Sequence, residues 1–502
     1  TDTDNWPRCI QIAWQLHDEM GNLIEHQDYL IKPDGFNIPF DSEKIHGIST
    51  ELATEQGVPL PEVLVKFNEA LAKAKFVVGQ NIGFDLNIMG CEFYRYSVDS
   101  PMAQMPVLDT CTEVTAELLK LPGGRGGRFK LPNLTELHSY LFGVPFAEAH
   151  NATADVEATT RCFFELVRRE VFTTEELQVD TGYFVDFKQH NPSVIPTVGL
   201  KHVNLKAASD AIRSREKSST IIEVDSETLE ALQEATFAHL HNHSQFSVLQ
   251  STISIGDLVS AAAKHNMPAV ALTDHGNMMG AFHFVSKVLG HNKEVEAKNQ
   301  EAIEAGEEPT AKPIKPIVGC EFFICEDRKD KTRKDNGYQV VFLAKNKAGY
   351  HNLAKMASIA YTEGFYYVPR IDKAVVEQYK ENLIVLSGNL QGEVPNKVLN
   401  IGENQAEEAL LWWKEQFGDD FYMEIMRHGQ EDENRVNDTL ISLAKKHDVK
   451  LIATNNTYYV NKADAHAHDI LLCVKDGEKL TTPVGRGRGF RFGLPNQEYY
   501  FK

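Results

Sequence analysis

No stretch of this chain approaches the ~18 consecutive apolar residues that a membrane-spanning helix needs. C-x-x-C spacing is absent as well: Cys9, Cys91, Cys111, Cys162, Cys320, Cys325 and Cys473 are scattered, which suits reduced thiols packed as small core residues better than a disulfide framework. The opening residues TDTDNWPR have neither the basic nor the apolar run of an export signal. A soluble, cytoplasmic protein without a membrane partner is therefore expected. Cations are also scarce, with 51 Lys and Arg against 71 Asp and Glu and a net charge of −20. Such a chain repels a polyanion as a whole, so nucleic acid could be met only through local basic loops or bound cations.

Hydrophobic residues at 42% and charged residues at 24% exclude a disordered or fibrous chain. A length of 502 residues exceeds what one core supports and predicts two or three domains. From Ile10 to about Val171, apolar runs (CIQIAW, KFVVGQN) alternate with helical text (LPEVLVKFNEALAKA, ADVEATTRCFFELVRR), the pattern of an α/β unit. Residues 172–236 carry mixed polar text and read as a connector. From Phe237 on, seven apolar runs each meet a polar residue: FAHLHNH, PAVALTDH, KPIVGCE, YQVVFLAKN, NLIVLSGN, FYMEIM and VKLIATNN. They predict a second α/β unit over 237–502, with a mostly parallel, barrel-like sheet whose functional face carries Asp274, His275, Glu321, Asn389 and Asn456. Around residues 290–314, Glu-, Lys- and Ala-rich text reads as a solvated helical insertion. The loops PGGRGGRFK, with Arg125, Arg128 and Lys130, and PVGRGRGFRFG, with Arg486, Arg488 and Arg491, could touch phosphate or be merely exposed.

In KFVVGQNIGFD a strand runs into Asn81, and Asp85 opens a helix; in HNATADVEATTRCFFELV, His150 stands at a helix entry and Asp155 in its first turns. Ala152, Val156, Thr159 and Phe163 are expected to face inward. A lone carboxylate at a helix start is usually a cap. Phosphodiester hydrolysis with two divalent cations, however, needs several carboxylates and a base, and Asp85, Asp155 and His150 match three of those parts. Over residues from about Trp6 to Glu170 the chain resembles the epsilon-type, DEDDh 3′–5′ proofreading exonucleases of ribonuclease H-like fold, a mixed sheet with flanking helices. QNIGFD is similar to that family's second motif and HNATAD to its H-x-A-x-x-D third motif. The resemblance implies Asp85 and Asp155 as ligands of two Mg²⁺ or Mn²⁺ ions, His150 as general base, and Asn81, Arg125 and Arg128 as candidate DNA contacts. The family's first motif, Asp-x-Glu at the end of an apolar strand, has no counterpart here, because no apolar strand leads into Asp2-Thr3-Asp4. That strand is expected upstream, and the fragment without it is expected to be inactive.

The region from Phe237 to Lys502 resembles the polymerase-and-histidinol-phosphatase (PHP) domain, a distorted (β/α)7 barrel, at the front of bacterial DNA polymerase III alpha subunits. FAHLHNHSQFSVL, AVALTDHGNMMGAFHF, VGCEFF, EGFYYVPRID and LIVLSGNLQGE carry the likeness. Against that family's metal ligands, His241, His243, His275 and Glu321 are kept, whereas Gln250, Gln339, Asn389, Asn456 and Tyr458 stand where an acid, a histidine or a thiol is expected. Amides and phenols bind divalent cations poorly. The resemblance therefore implies a catalytically silent, structural domain whose site is empty, the four kept ligands sufficing at most to hold one ion weakly. Together the two resemblances imply the front part of a replicative polymerase chain with a fused exonuclease, acting on DNA among other replisome subunits. A silent scaffold and a PHP-type phosphoesterase are the alternatives.

Overall fold

The computed structural model describes residues 6–123, 127–146, 151–201, 203–217, 235–485 and 490–502. His150, Arg125, Arg486 and Arg488 lie outside the described residues. The chain divides into two compact units, Thr1–Ile222 and Glu223–Lys502. None of the described helices is long and apolar enough to cross a membrane.

In the first unit β1 (Gln11–His17) and β2 (Leu23–Leu30) form an antiparallel hairpin. Its turn is closed by Asp18, whose carboxylate accepts from the amides of Met20 and Asn22. β3 (Val77–Gly79) and β4 (Val107–Asp109) pair in parallel. The expected mixture of pairings is present but divided between two separate two-stranded sheets. One helix, Ala152–Arg168, packs on both β1 and β3. The face it buries is not the expected one: Ala154, Ala158, Cys162 and Leu166 form the innermost stripe, while Ala152, Val156 and Thr159 are only half-buried and Phe163 alone is buried as expected. Three small residues at i, i+4 spacing let the helix lie close to the strands, which rotates the bulkier β-branched residues outward.

Residues 172–217, expected as connector, belong to this unit. Phe172, Leu177, Phe187 and Ile195 join the core around Phe163 and Phe164, with the Phe187 ring stacked 6.0 Å from that of Phe164. The Leu205–Lys217 helix docks through Ser209, which donates to the Gly47 carbonyl at 2.7 Å and accepts from the Ser49 amide. Polar text conceals this because the aromatic anchors are widely spaced.

The second unit is built on one sheet of seven strands: β5 (Ala269–Leu272), β6 (Lys315–Cys325), β7 (Tyr338–Ala344), β8 (Arg370–Asp372), β9 (Leu383–Leu386), β10 (Phe421–Met426) and β11 (Lys450–Thr454). The order is β11-β10-β9-β7-β6-β5, with β8 beside β6. Four pairings are parallel, and β7 runs antiparallel to both β6 and β9. Among the described residues no helix separates β6 from β7, and a short connection permits only the antiparallel pairing. Arg370 ties that connection down, donating to the carbonyls of Arg328, Asp330 and Asp335 from a fully buried position. Six of the seven expected runs are strands. FAHLHNH is not one: it bridges the ends of β5 and β11 irregularly, the His239 carbonyl accepting from Ala271 N at 2.9 Å and His243 N donating to Thr457 O at 3.1 Å. The charged stretch from residue 290 continues the Ala281–Glu304 helix, largely exposed, as expected.

If residues 172–195 are part of the first core, Phe187→Ala removes a fully buried ring and should destabilise that unit by about 3–5 kcal/mol. Calorimetry of the whole chain reads this as a lower first transition with the second unmoved; an unchanged first transition would return the segment to the status of a connector.

Candidate functional site

In the first unit Asn81 adopts a left-handed conformation (φ 56°) that turns the chain from β3 into the Gly83–Arg95 helix. Asp109, at the end of β4, holds this turn: its carboxylate accepts from the amides of Asn81 at 2.8 Å, Ile82 at 3.2 Å and Cys111 at 2.8 Å. Asp85 then falls in the first turn of its helix and Asp155 in the first turn of the Ala152–Arg168 helix, which Asn151 caps through the Thr153 amide at 3.1 Å. The two acids interact although 70 positions separate them in sequence. Crowding by protein atoms raises the Asp85 carboxyl above its ordinary range, its own backbone hydrogen bond opposes this, and the charges of Asp155 and Asp109 raise it further. Carboxylates that only complemented helix ends would gain nothing from such mutual repulsion. Asn81 leaves its side chain exposed, and Arg128 forms an exposed ion pair with Glu113. Asp109 went unnoticed in the sequence; its signal is a carboxylate closing a short apolar strand.

In the second unit the four retained positions converge. Glu321, in the middle of β6, is fully buried. Its carboxylate lies 3.3 Å from His241 Nε2, 3.5 Å from His243 Nε2 and 2.6 Å from His275 Nδ1. His241, His243 and Glu321 offer donor atoms all within 4.8 Å of one another, a geometry that could hold one metal ion. Three buried atoms here, His241 Nε2, His275 Nδ1 and Glu321 Oε2, have no aligned hydrogen-bond partner, as expected of donors arranged for a cation rather than for each other. Glu424 on β10, absent from the sequence-based candidates, binds the far side of His241, 2.9 Å from Nδ1, and accepts from Gly388 N at 3.1 Å. A lone glutamate inside the apolar run FYMEIM was its only signal. Burial would depress His241, but Glu424 and Glu321 overcome it and push its pKa up to about 10. His243 is driven well below its ordinary value by burial and by the neighbouring His275.

The replaced positions explain why the cluster is small. Asn456 Oδ1 lies 2.9 Å from His243 Nε2, and Asn389 donates to Gln339 at 3.0 Å and to Glu321 at 3.3 Å. The Tyr458 ring stacks on His243 at 4.5 Å, and its hydroxyl reaches His275 Nε2 at 3.4 Å. Gln250 points elsewhere, its amide oxygen 3.4 Å from Lys475 Nζ. Asp274 is a structural tie, accepting from Ser244 N at 2.7 Å and Ser247 Oγ at 2.8 Å.

Residues 6–163 match the family model described as Exonuclease, and residues 239–428 that of the PHP domain. Over 270 residues, 53% of this chain, it is 39% identical to the DNA polymerase III subunit alpha of Borreliella burgdorferi, covering 21% of that protein. Over 273 residues, also 53% of this chain, it is 37% identical to the namesake from Thermus aquaticus, covering 20% of that protein. The chain thus spans about a fifth of the length of the curated relatives it matches. Two family matches in series, one to each compact unit, together with these relatives, assign it to the DNA polymerase III alpha-type proteins that carry an exonuclease domain ahead of a PHP domain.

Proposed function

We propose that the first unit is a two-metal 3′–5′ exonuclease acting on a DNA strand, with Asp85 and Asp155 as metal ligands and His150 as general base. The observation that carries this reading is the electrostatic coupling of Asp85 to Asp155 from the first turns of two helices. The separation of β1–β2 from β3–β4 beneath a shared helix supports a further strand seated between them, bearing the remaining carboxylates. Two divalent cations, Mg²⁺ or Mn²⁺, would supply Lewis acidity and neutralise the phosphodiester. Asp85 and Asp155 would hold them, and His150, neutral, would accept the proton of the attacking water. Asn81, Arg125 and Arg128 remain candidate strand contacts. In the whole protein this activity would proofread the product of a polymerase domain in the cytoplasm, among other replisome subunits.

The second unit is proposed as a structural domain whose histidine cluster holds one ion at most. The donor atoms of His241, His243 and Glu321, all within 4.8 Å of one another, favour single occupancy over an empty site. Asn389, Asn456 and Tyr458 fill the space a cluster of ions would need, which disfavours a phosphoesterase.

For the full-length protein, His150→Ala should cost about 10² or more in hydrolysis of a 3′-labelled single strand while leaving Mn²⁺ affinity near wild type. Wild-type activity should rise with pH through about 6–7, as an unperturbed histidine loses its proton. Asp155→Ala should lose both activity and Mn²⁺ binding, and unchanged Mn²⁺ affinity in that variant would falsify the assignment.

The cluster should bind one Zn²⁺ or Mn²⁺ per chain by elemental analysis. A metal at His241 Nε2 must displace the proton that Glu424 and Glu321 hold there to about pH 10, so affinity should tighten with rising pH by up to about tenfold per unit across pH 6–8. Glu424→Gln removes one of the two carboxylates and should flatten that slope. Two or three tightly held ions, or a slope of opposite sign, would overturn the single-ion reading.

A further inference from the structure

At the end of the second unit's sheet away from the histidine cluster lies a cavity of about 830 Å³. Its floor is apolar: Leu240, Ile317, Leu343, Ile384, Leu386 and Ile452. It is offset along β6 from the site already described: Ile317 and Glu321 lie on the same face of that strand four residues apart, about 13 Å at ~3.3 Å per residue, while Leu240 in the lining adjoins His241 in sequence. The reversal of β7 brings its last residues, Leu343 and Ala344, to the same mouth. Such a volume falls within the roughly 300–1,000 Å³ of ligand pockets.

The rim has one sign of charge. Lys315, Lys345 and Lys347 line the mouth, and no carboxylate does, in a chain where acids outnumber bases by 71 to 51. Lys345 is offset by Asp420 at 2.7 Å, whereas Lys315 and Lys347 have no ion-pair partner among the described residues. Apolar surface also continues outside the cavity. On the helix that flanks it, Phe282 and Leu289 are 77% and 52% exposed, with Val285 between them on the same face. From Ala281 to Lys293 that helix carries Lys287 and Lys293 and no acid.

We propose that this mouth docks an acidic peptide segment of another protein, which inserts a large apolar side chain into the cavity and lays a second along Phe282 and Leu289. A small amphiphile would fill the cavity but leave the helix face uncovered, and a basic segment would meet the uncompensated Lys315 and Lys347. Burial of the apolar anchor supplies the affinity, while Lys315 and Lys347 select acidic flanks.

Random-peptide display against the intact chain, followed by fluorescence anisotropy of a synthesised winner, tests this. Enriched peptides should pair Asp or Glu with a bulky apolar residue. Their binding should fall at least tenfold in Lys315→Glu/Lys347→Glu, an exposed pair whose reversal does not touch the core, and weaken as salt rises. Ile384→Arg, which puts a charge in the floor, should abolish binding, with circular dichroism checking its fold. Winners without acidic residues, or winners that bind the charge-reversed chain equally, would overturn the proposal. So would a cavity that takes decanoate while selecting no peptide.

Discussion

The second unit is organised around a carboxylate that has no access to water. Glu321 sits in the strand that pairs with β5, β7 and β8, so a charge is fixed at the most constrained position in the sheet. A buried ion of this kind is tolerated only when surrounded by compensating groups, and three imidazoles with one amide do this. Together with His275 and His241, Glu321 keeps its own pKa well below the usual carboxylate range despite burial. The compensation is partial, because several of the facing atoms lack aligned hydrogen bonds. Glu424 adds a second carboxylate behind His241, so the centre carries a surplus of negative charge that one cation, metal or proton, would balance.

The first unit follows a different logic. Its acids are at helix starts on accessible ground, their approach to one another set by the clamp of Asp109 on the Asn81 turn and by the cap of Asn151. Asp85 is raised by the charges of Asp155 and Asp109, whereas Glu321 is lowered by the imidazoles that face it. On the proposed reading this openness is needed, since a site that admits a charged strand and its cations cannot be closed, while a cluster that serves the fold can be.

Much of this could be read from the sequence. Asp85 and Asp155 were marked by the strand or helix text around them, and six of the seven sheet runs were marked by their apolar length. The exceptions have physical causes. FAHLHNH alternates like a strand, yet the Asn242 side chain donates to the carbonyls of His239 and Ala271, taking bonds that a ladder would have made. β8 is too short for periodicity to register. Glu424 lacks a motif, and its role depends on β10 lying opposite the loop of His241, a tertiary fact. The buried face of the Ala152–Arg168 helix was misjudged because small residues, not large ones, set the closest approach.

The division of the first unit's strands bears on how the protein must be handled. Among the described residues β1 pairs only with β2, and β3 only with β4, so each small sheet presents a row of main-chain donors and acceptors along one side. Such borders are templates for any extended chain, including another copy of the same molecule. A strand seated between the two sheets, as proposed above, would close both borders at once; left open, they would favour association as salt screens the repulsion of the net charge of −20.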